Sequence, residues 1–129
     1  MGMFTELYIS SKLKEDTPKD IQDVVIWLFE DRSTEVRRVP DHPFFKTSRW
    51  AQIGGGSSYY FTPFETSRAV YDRVTKSVYF TSRSDLKNYD DEIGQFLDWI
   101  TPYLDLETGE HIGHVRYEED EKPTLIYMR

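Results

Sequence analysis

The sequence predicts an α+β fold: a two-layer sandwich of a mainly antiparallel sheet with two helices on one face. Three observations carry the prediction. Two segments, starting at Ile21 and at Ile93, repeat apolar residues at i, i+3, i+4 and i+7, the stripe of an amphipathic helix. Several other segments alternate apolar and polar residues or are rich in β-branched and aromatic types. Most of these strands follow one another through short turns, which forces antiparallel pairing. Two helices with one apolar stripe each then cover one side of the sheet.

Taken in order, residues 3–13 (MFTELYISSKL) alternate. Thr5, Leu7 and Ile9 share one strand face, and Phe4, Glu6, Tyr8 and Ser10 share the other. Thr17-Pro18 then opens a helix over 18–30, with Thr17 as N-cap, Pro18 at the first helical position and Asp20 near the positive end of the dipole. Its stripe is Ile21, Val24, Val25 and Leu28, broadened by Trp27 and Phe29. Residues 31–48 are charged and carry Pro40 and Pro43, and read as a loop. Residues 48–53 (SRWAQI) and 57–61 (SSYYF) read as extended, interrupted by Gly54-Gly55-Gly56. Residues 67–74 and 76–84 read as two strands joined near Thr75-Lys76. Asn88 caps a second helix with the stripe Ile93, Phe96, Leu97 and Ile100, and Pro102 ends it by removing an amide. Residues 110–117 and 124–128 form a hairpin closed by residues 118–123. The expected order is β-α-β-β-β-α-β-β in one domain over 1–129, a variant of the split β-α-β theme. A chain of 129 residues buries about two thirds of its unfolded surface, enough for a core without staples.

Charge is distributed unevenly. Residues 85–129 hold 12 acids against 4 Lys/Arg, a balance of −8, whereas residues 1–84 hold 11 acids and 12 bases. Runs of like charge are commonly disordered, yet this one is threaded through foldable periodicity. Its candidate partner-binding carboxylates are Asp91 and Asp98, seven apart on one helix face, and the run Glu118, Glu119, Asp120 and Glu121. A structured single-sign surface attracts a basic protein surface and repels nucleic acid, whose binding needs phosphate neutralisation by Lys/Arg. The bland reading is that acids favour a helix N-terminus and keep a small protein soluble. The high aromatic content leaves Tyr8, Trp50, Tyr59 and Trp99 as candidate anchors of an interface.

No catalytic signature is present, and a non-enzymatic role is expected. The chain has no cysteine, so disulfides, thiolate chemistry and Cys-ligated zinc are excluded. His111 and His114, three apart on a strand, are expected on opposite faces, so no metal and no cofactor is expected. Gly54-Gly55-Gly56-Ser57-Ser58 lacks the Lys of a phosphate loop and precedes a strand, which reads as a bulge or a close backbone approach. Two other functions stay open: a nucleotide or small-molecule pocket using Trp50, Tyr59, Tyr60 and Arg49 or Arg68, and a metal-dependent hydrolase built on convergent carboxylates. A homodimer, in which the bases of 1–84 meet the acidic half of a second copy, fits the charge division. The start of the chain has no apolar signal region and no stretch reaches the roughly 20 apolar residues of a membrane span, so a cytoplasmic protein without membrane contact is expected.

The run DLKNYDDEIGQFLDWITPYL (85–104), followed by GHVRYEEDEKPTLIY (113–127), resembles a family of small uncharacterised proteins of bacteriophages and prophages of Gram-positive bacteria. MFTELYIS (3–10) and SSYYF (57–61) are similar to the same group. The resemblance implies an accessory phage product in the host cytoplasm and carries no activity over to particular residues. By charge and size it points to inhibitors of nucleic-acid-processing host proteins.

Overall fold

A computed structural model describes residues 3–33, 38–58, 61, 64 and 66–129. Its frame is one five-stranded antiparallel sheet, built from β1 (Thr5–Lys12), β2 (Thr66–Asp72), β3 (Ser77–Leu86), β4 (His111–Tyr117) and β5 (Thr124–Tyr127). The spatial order is β2-β3-β1-β4-β5. The first strand therefore lies in the middle, with Leu7 opposite Ser84 on one side and Val115 on the other.

Alternation along β1 sends Thr5, Leu7 and Ile9 inward, where all three are buried, and leaves Tyr8 and Ser10 exposed. Val78, Phe80, Ser82, Ser84 and Leu86 of β3 are likewise buried. Two helices, α1 (Lys19–Phe29) and α2 (Glu92–Ile100), supply the second layer. The stripe Ile21, Val24, Val25, Leu28 and Phe29 of α1 is buried, with α1 lying along β2 and β3. Phe29 stacks on Phe80 of the sheet at 5.1 Å and meets Phe96 of α2 edge-on at 5.8 Å, so both helices share one face. The expected α+β sandwich, with a mainly antiparallel sheet and both helices on one side, is what the chain forms.

Several local features differ from the sequence reading. Thr17 does not cap α1; its hydroxyl donates to the Lys14 carbonyl at 2.7 Å, and Pro18 occupies the cap position without a side-chain bond. Residues 48–53 are not extended. Trp50–Gln52 form a 3-10 turn because Trp50 is drawn onto Trp27 (5.7 Å) and Phe45 (5.1 Å), and this packing overrides a β-like composition. Only Ser58 of the described part of 57–61 makes a β-bridge, and Tyr59 and Tyr60 lie outside the described residues. The loop 31–48 contains a 3-10 turn, Pro43–Lys46, that buries Phe44 and Phe45 in the core.

The glycine run makes the close approach expected of it. A Cβ on Gly54 would lie 2.5 Å from the Leu28 carbonyl, and one on Gly56 would overlap the Asp85 carbonyl. Serines replace apolar residues where this backbone passes. Ser84 Oγ donates to the Ile53 carbonyl at 2.5 Å, and Ser67 Oγ donates to that of Gly54 at 2.6 Å. Asn88 does serve α2, its side chain accepting from the Ile93 amide at 2.9 Å.

A β-bulge in β4 overturns the expected placement of the two histidines. His111 faces Tyr127 and His114 faces Leu125, with an irregularity between His111 and Gly113. Residues 125 and 127 share a face, so both histidines point outward while Ile112 and Gly113 are buried. Among the described residues no helix is long and apolar enough to cross a membrane.

Candidate functional site

The carboxylates of the acidic half separate into three groups once the chain is folded. Asp85 and Glu92 are fully buried and belong to the interior. Asp98, Asp105, Glu107 and Glu110 lie at or beyond the C-terminal half of α2 and at the start of β4. Asp90, Asp91 and Glu118 to Glu121 lie at the same end of the sheet, because the end of β3 and the end of β4 flank the start of β1 there.

That acidic end is built around two tyrosines. Tyr89 and Tyr117 line a shallow hollow of about 320 Å³ with Thr5, Asn88, Val115 and Asp120. Backbone amides fix several of the carboxylates. The Phe4 amide donates to Glu118 Oε2 at 2.9 Å, the Tyr117 amide to Asp120 Oδ2 at 3.2 Å, and the Ser48 amide to Asp90 Oδ2 at 2.9 Å. The bonds from Ser48 hold the Asp90 carboxyl below its ordinary range. Burial, then Glu119 and Glu118, Tyr89 and Asp120, push the Tyr117 phenol above its usual value. Asp91, Glu119 and Glu121 are exposed. The nearby cations among the described residues include Lys122, which follows the run directly, Lys87 over the Phe4 ring at 5.8 Å, and Arg49 over the Tyr89 ring at 5.2 Å.

Glu92 is the structural counterpart of this exposed set. It is fully buried, accepts from the amides of Arg49 (3.1 Å) and Asp90 (3.0 Å), and lies 3.9 Å from the Arg49 guanidinium. The start of α2 thereby grips the 48–49 segment. Arg49 in turn covers the Tyr89 ring at 5.2 Å.

The other candidate residues are dispersed. Asp98 is exposed on α2, held by His42 Nε2 at 3.0 Å and near Arg129 Nη1 at 3.6 Å. Trp99 is only 3 % exposed and stacks on Phe44 at 5.8 Å, so its ring belongs mainly to the core. Trp50 is half-buried among Trp27, Phe44 and Phe45. Tyr8 stands 37 % exposed on the open sheet face, stacked on His114 at 5.4 Å. Tyr59 lies outside the described residues. Of the nucleotide-pocket set, Arg68 pairs with Glu30 at 3.1 Å and Arg49 with Glu92, so the two guanidinium groups do not converge on Trp50.

Sequence reading missed a polar cluster on the open face of the sheet. Glu6 accepts from Arg83 on one neighbouring strand and lies 3.3 Å from His114 on the other. Asp85 beside it accepts from the Ser58 hydroxyl and lies 3.9 Å from Arg83 Nη1. Burial raises the Asp85 carboxyl above its ordinary value, against the opposing pull of Ser58 and Arg83. Arg83 Nη1, Asp85 Oδ1 and Arg116 Nε are buried without a hydrogen-bond partner among the described residues, and Arg116 lies 5.0 Å from the Phe61 ring. The arrangement ties three central strands and the Ser58 segment together. Among the described residues no three His, Asp or Glu side chains stand where they could share a metal ion.

Fold and surface together define an antiparallel α+β sandwich with one acidic, tyrosine-lined end. Models of protein families, curated proteins and solved structures all fail to match this chain.

Proposed function

We propose that the chain is a non-enzymatic interaction protein that docks its acidic end against a basic protein surface. The observation that supports this most is convergence. Carboxylates of 118–120 surround Tyr117 beside Tyr89, Asp90 and Asp91 follow directly after Tyr89 at the same end of the sheet, and Glu118, Asp120 and Asp90 are held in place by backbone amides. Carboxylates held this way lose little freedom on association. Charge sets encounter rate and specificity in such a contact, and a few rings supply most of the affinity. A nucleic-acid-processing host protein is the partner class this charge suits, because its phosphate-binding groove is basic; a small phage accessory product occupying that groove is the biological setting we favour.

The test uses charges that support no internal bond among the described residues. Asp91→Asn keeps a residue tolerant of the left-handed backbone found there (φ 56°), and Glu119→Ser and Glu121→Ser change exposed side chains. With a partner captured from host lysate at low salt, the triple variant is expected to slow association about tenfold or more at low salt and little at high salt. An association rate insensitive to both salt and these substitutions refutes the electrostatic docking.

A further inference from the structure

A second acidic concavity lies away from the sheet end. The 38–42 segment faces the last turn of α2 and the following 3-10 turn (Thr101–Tyr103), and Asp20 from the first turn of α1 closes one side. The cleft has a volume of about 500 Å³, within the range of small-ligand sites. Among the described residues three carboxylates line it, Asp20, Asp41 and Asp98, against the lining cation Arg38; Lys46 also reaches Asp41 at 3.9 Å, in a largely exposed and therefore weak pair.

His42 does not add a further positive charge. Its Nδ1 accepts from the Phe44 amide at 3.1 Å, so the ring proton sits on Nε2, which donates to Asp98 at 3.0 Å. The imidazole is therefore neutral and orients Asp98 without cancelling it. Arg129 reaches Asp98 at 3.6 Å, but both side chains are more than half exposed, and such surface pairs are weak. Among the described lining residues, carboxylates outnumber Lys and Arg three to one.

Its wall also contains an unmet donor. Trp99 is among the residues lining the cleft, and its indole Nε1–H is buried with no acceptor among the described residues. Buried donors are nearly always paired. Tyr103 provides an aromatic ring beside it, 6.4 Å from Trp99.

We infer that this cleft receives an arginine of the basic partner, its guanidinium among Asp20, Asp41 and Asp98 and a backbone carbonyl of the same segment near Trp99. Arginine fits better than lysine because its planar fork bonds carboxylates in pairs and its flat face stacks on a ring such as Tyr103. The inference rests on the reading that the partner is basic, and adds where one of its side chains inserts.

The experiment titrates the ¹⁵N-labelled protein with an acetylated nine-residue peptide of alternating Gly and Arg, and with its Lys counterpart. The expected result is a saturable shift of the Trp99 indole and of the amides of 20, 41 and 98, with the Arg peptide binding several-fold tighter. Asp20→Asn with Asp41→Asn, two exposed positions, is expected to weaken the Arg peptide about tenfold. Tyr103→Leu, which keeps apolar bulk, is expected to narrow the preference for Arg over Lys. A stationary Trp99 indole, or an undiminished affinity in the double Asn variant, overturns the cleft assignment. If the peptide shifts only residues 89–91 and 117–121, the cleft fails while the basic-partner reading stands; if no signal moves anywhere, both fail. Equal affinity for the two peptides refutes the choice of arginine.

Discussion

Replacing Phe44 with alanine tests whether the segment before the glycine run belongs to the core. Phe44 is 0 % exposed, and its ring meets Phe45 at 4.8 Å, Phe96 at 5.4 Å, Trp99 at 5.8 Å and Trp50 at 6.3 Å. Removing it forfeits the transfer free energy of a buried ring and leaves a cavity that rings fixed on α2 are poorly placed to fill. Such truncations cost about 3–5 kcal/mol, a large part of a total stability of roughly 5–15 kcal/mol. At about 2.1 cal/mol/K of unfolding entropy per residue, a chain of 129 residues is expected to lose roughly 10–18 °C of melting temperature. Urea unfolding followed by tryptophan fluorescence measures the loss, since Trp50 and Trp99 both flank the deleted ring. Val74→Ala, at a position 90 % exposed, is the control and is expected to change little. A Phe44→Ala variant within about 1 kcal/mol of the parent, with an unchanged denaturant slope, would show that residues 43–46 rest on the surface.

Three further outcomes follow from buried polar groups and one tight backbone contact. Burial raises the Asp85 carboxyl in the folded chain, so its favourable contribution is complete below the unfolded pKa of about 3.9 and is lost as pH rises through the folded value. Asp85→Asn should therefore gain stability relative to the parent as pH rises above about 4; a difference independent of pH in urea titrations would contradict this. Glu92→Ala leaves the Arg49 and Asp90 amides and the nearby guanidinium without their acceptor, and is expected to cost about 3 kcal/mol; a loss under about 1 kcal/mol would mean that water replaces the carboxylate. Gly113→Ala would place a Cβ 2.9 Å from Ile9 Cα and onto the Tyr8 carbonyl, whereas Gly109→Ala meets open space at a φ of +92°. The first should cost several-fold more than the roughly 1 kcal/mol of the second, and thermal melts ranking them the other way would refute the bulge geometry.

What the sequence made legible was what repeats locally. The stripe from Ile21 to Leu28, the stripe from Ile93 to Ile100 and the alternation in residues 3–13 each encode a buried face within a dozen residues, and each appears in the fold. What was not legible depends on partners far along the chain. Phe44 and Phe45 follow two prolines in a charged stretch, and it is α2, far along the chain, and Trp50, beyond the next loop, that give them a place to pack. Glu6 meets Arg83 and His114 across 77 and 108 residues, a cluster that no spacing within one strand announces. The histidines of β4 share a face because one inserted residue reverses the parity of everything before it, and nothing in EHIGHVRY marks that insertion beyond its glycine. The acidic end was half visible: the run 118–121 stands out in the sequence, but its place beside Tyr89, at the end of the sheet that also carries Asp90 and Asp91, follows from strand order alone.

The central place of β1 has a consequence for how the molecule is made. The strand nearest the start of the chain cannot be flanked on both sides until residues 77–86 and 111–117 have been synthesised. Until then its alternating apolar face has no sheet to join, and both of its edges remain open to other chains. Assembly is thus governed by contacts distant in sequence, which slows it and gives a nascent copy a long interval in which to need a chaperone. Rejoining the chain so that translation begins at β3 would let β3 and β4 precede the strand they enclose, and would shorten that interval.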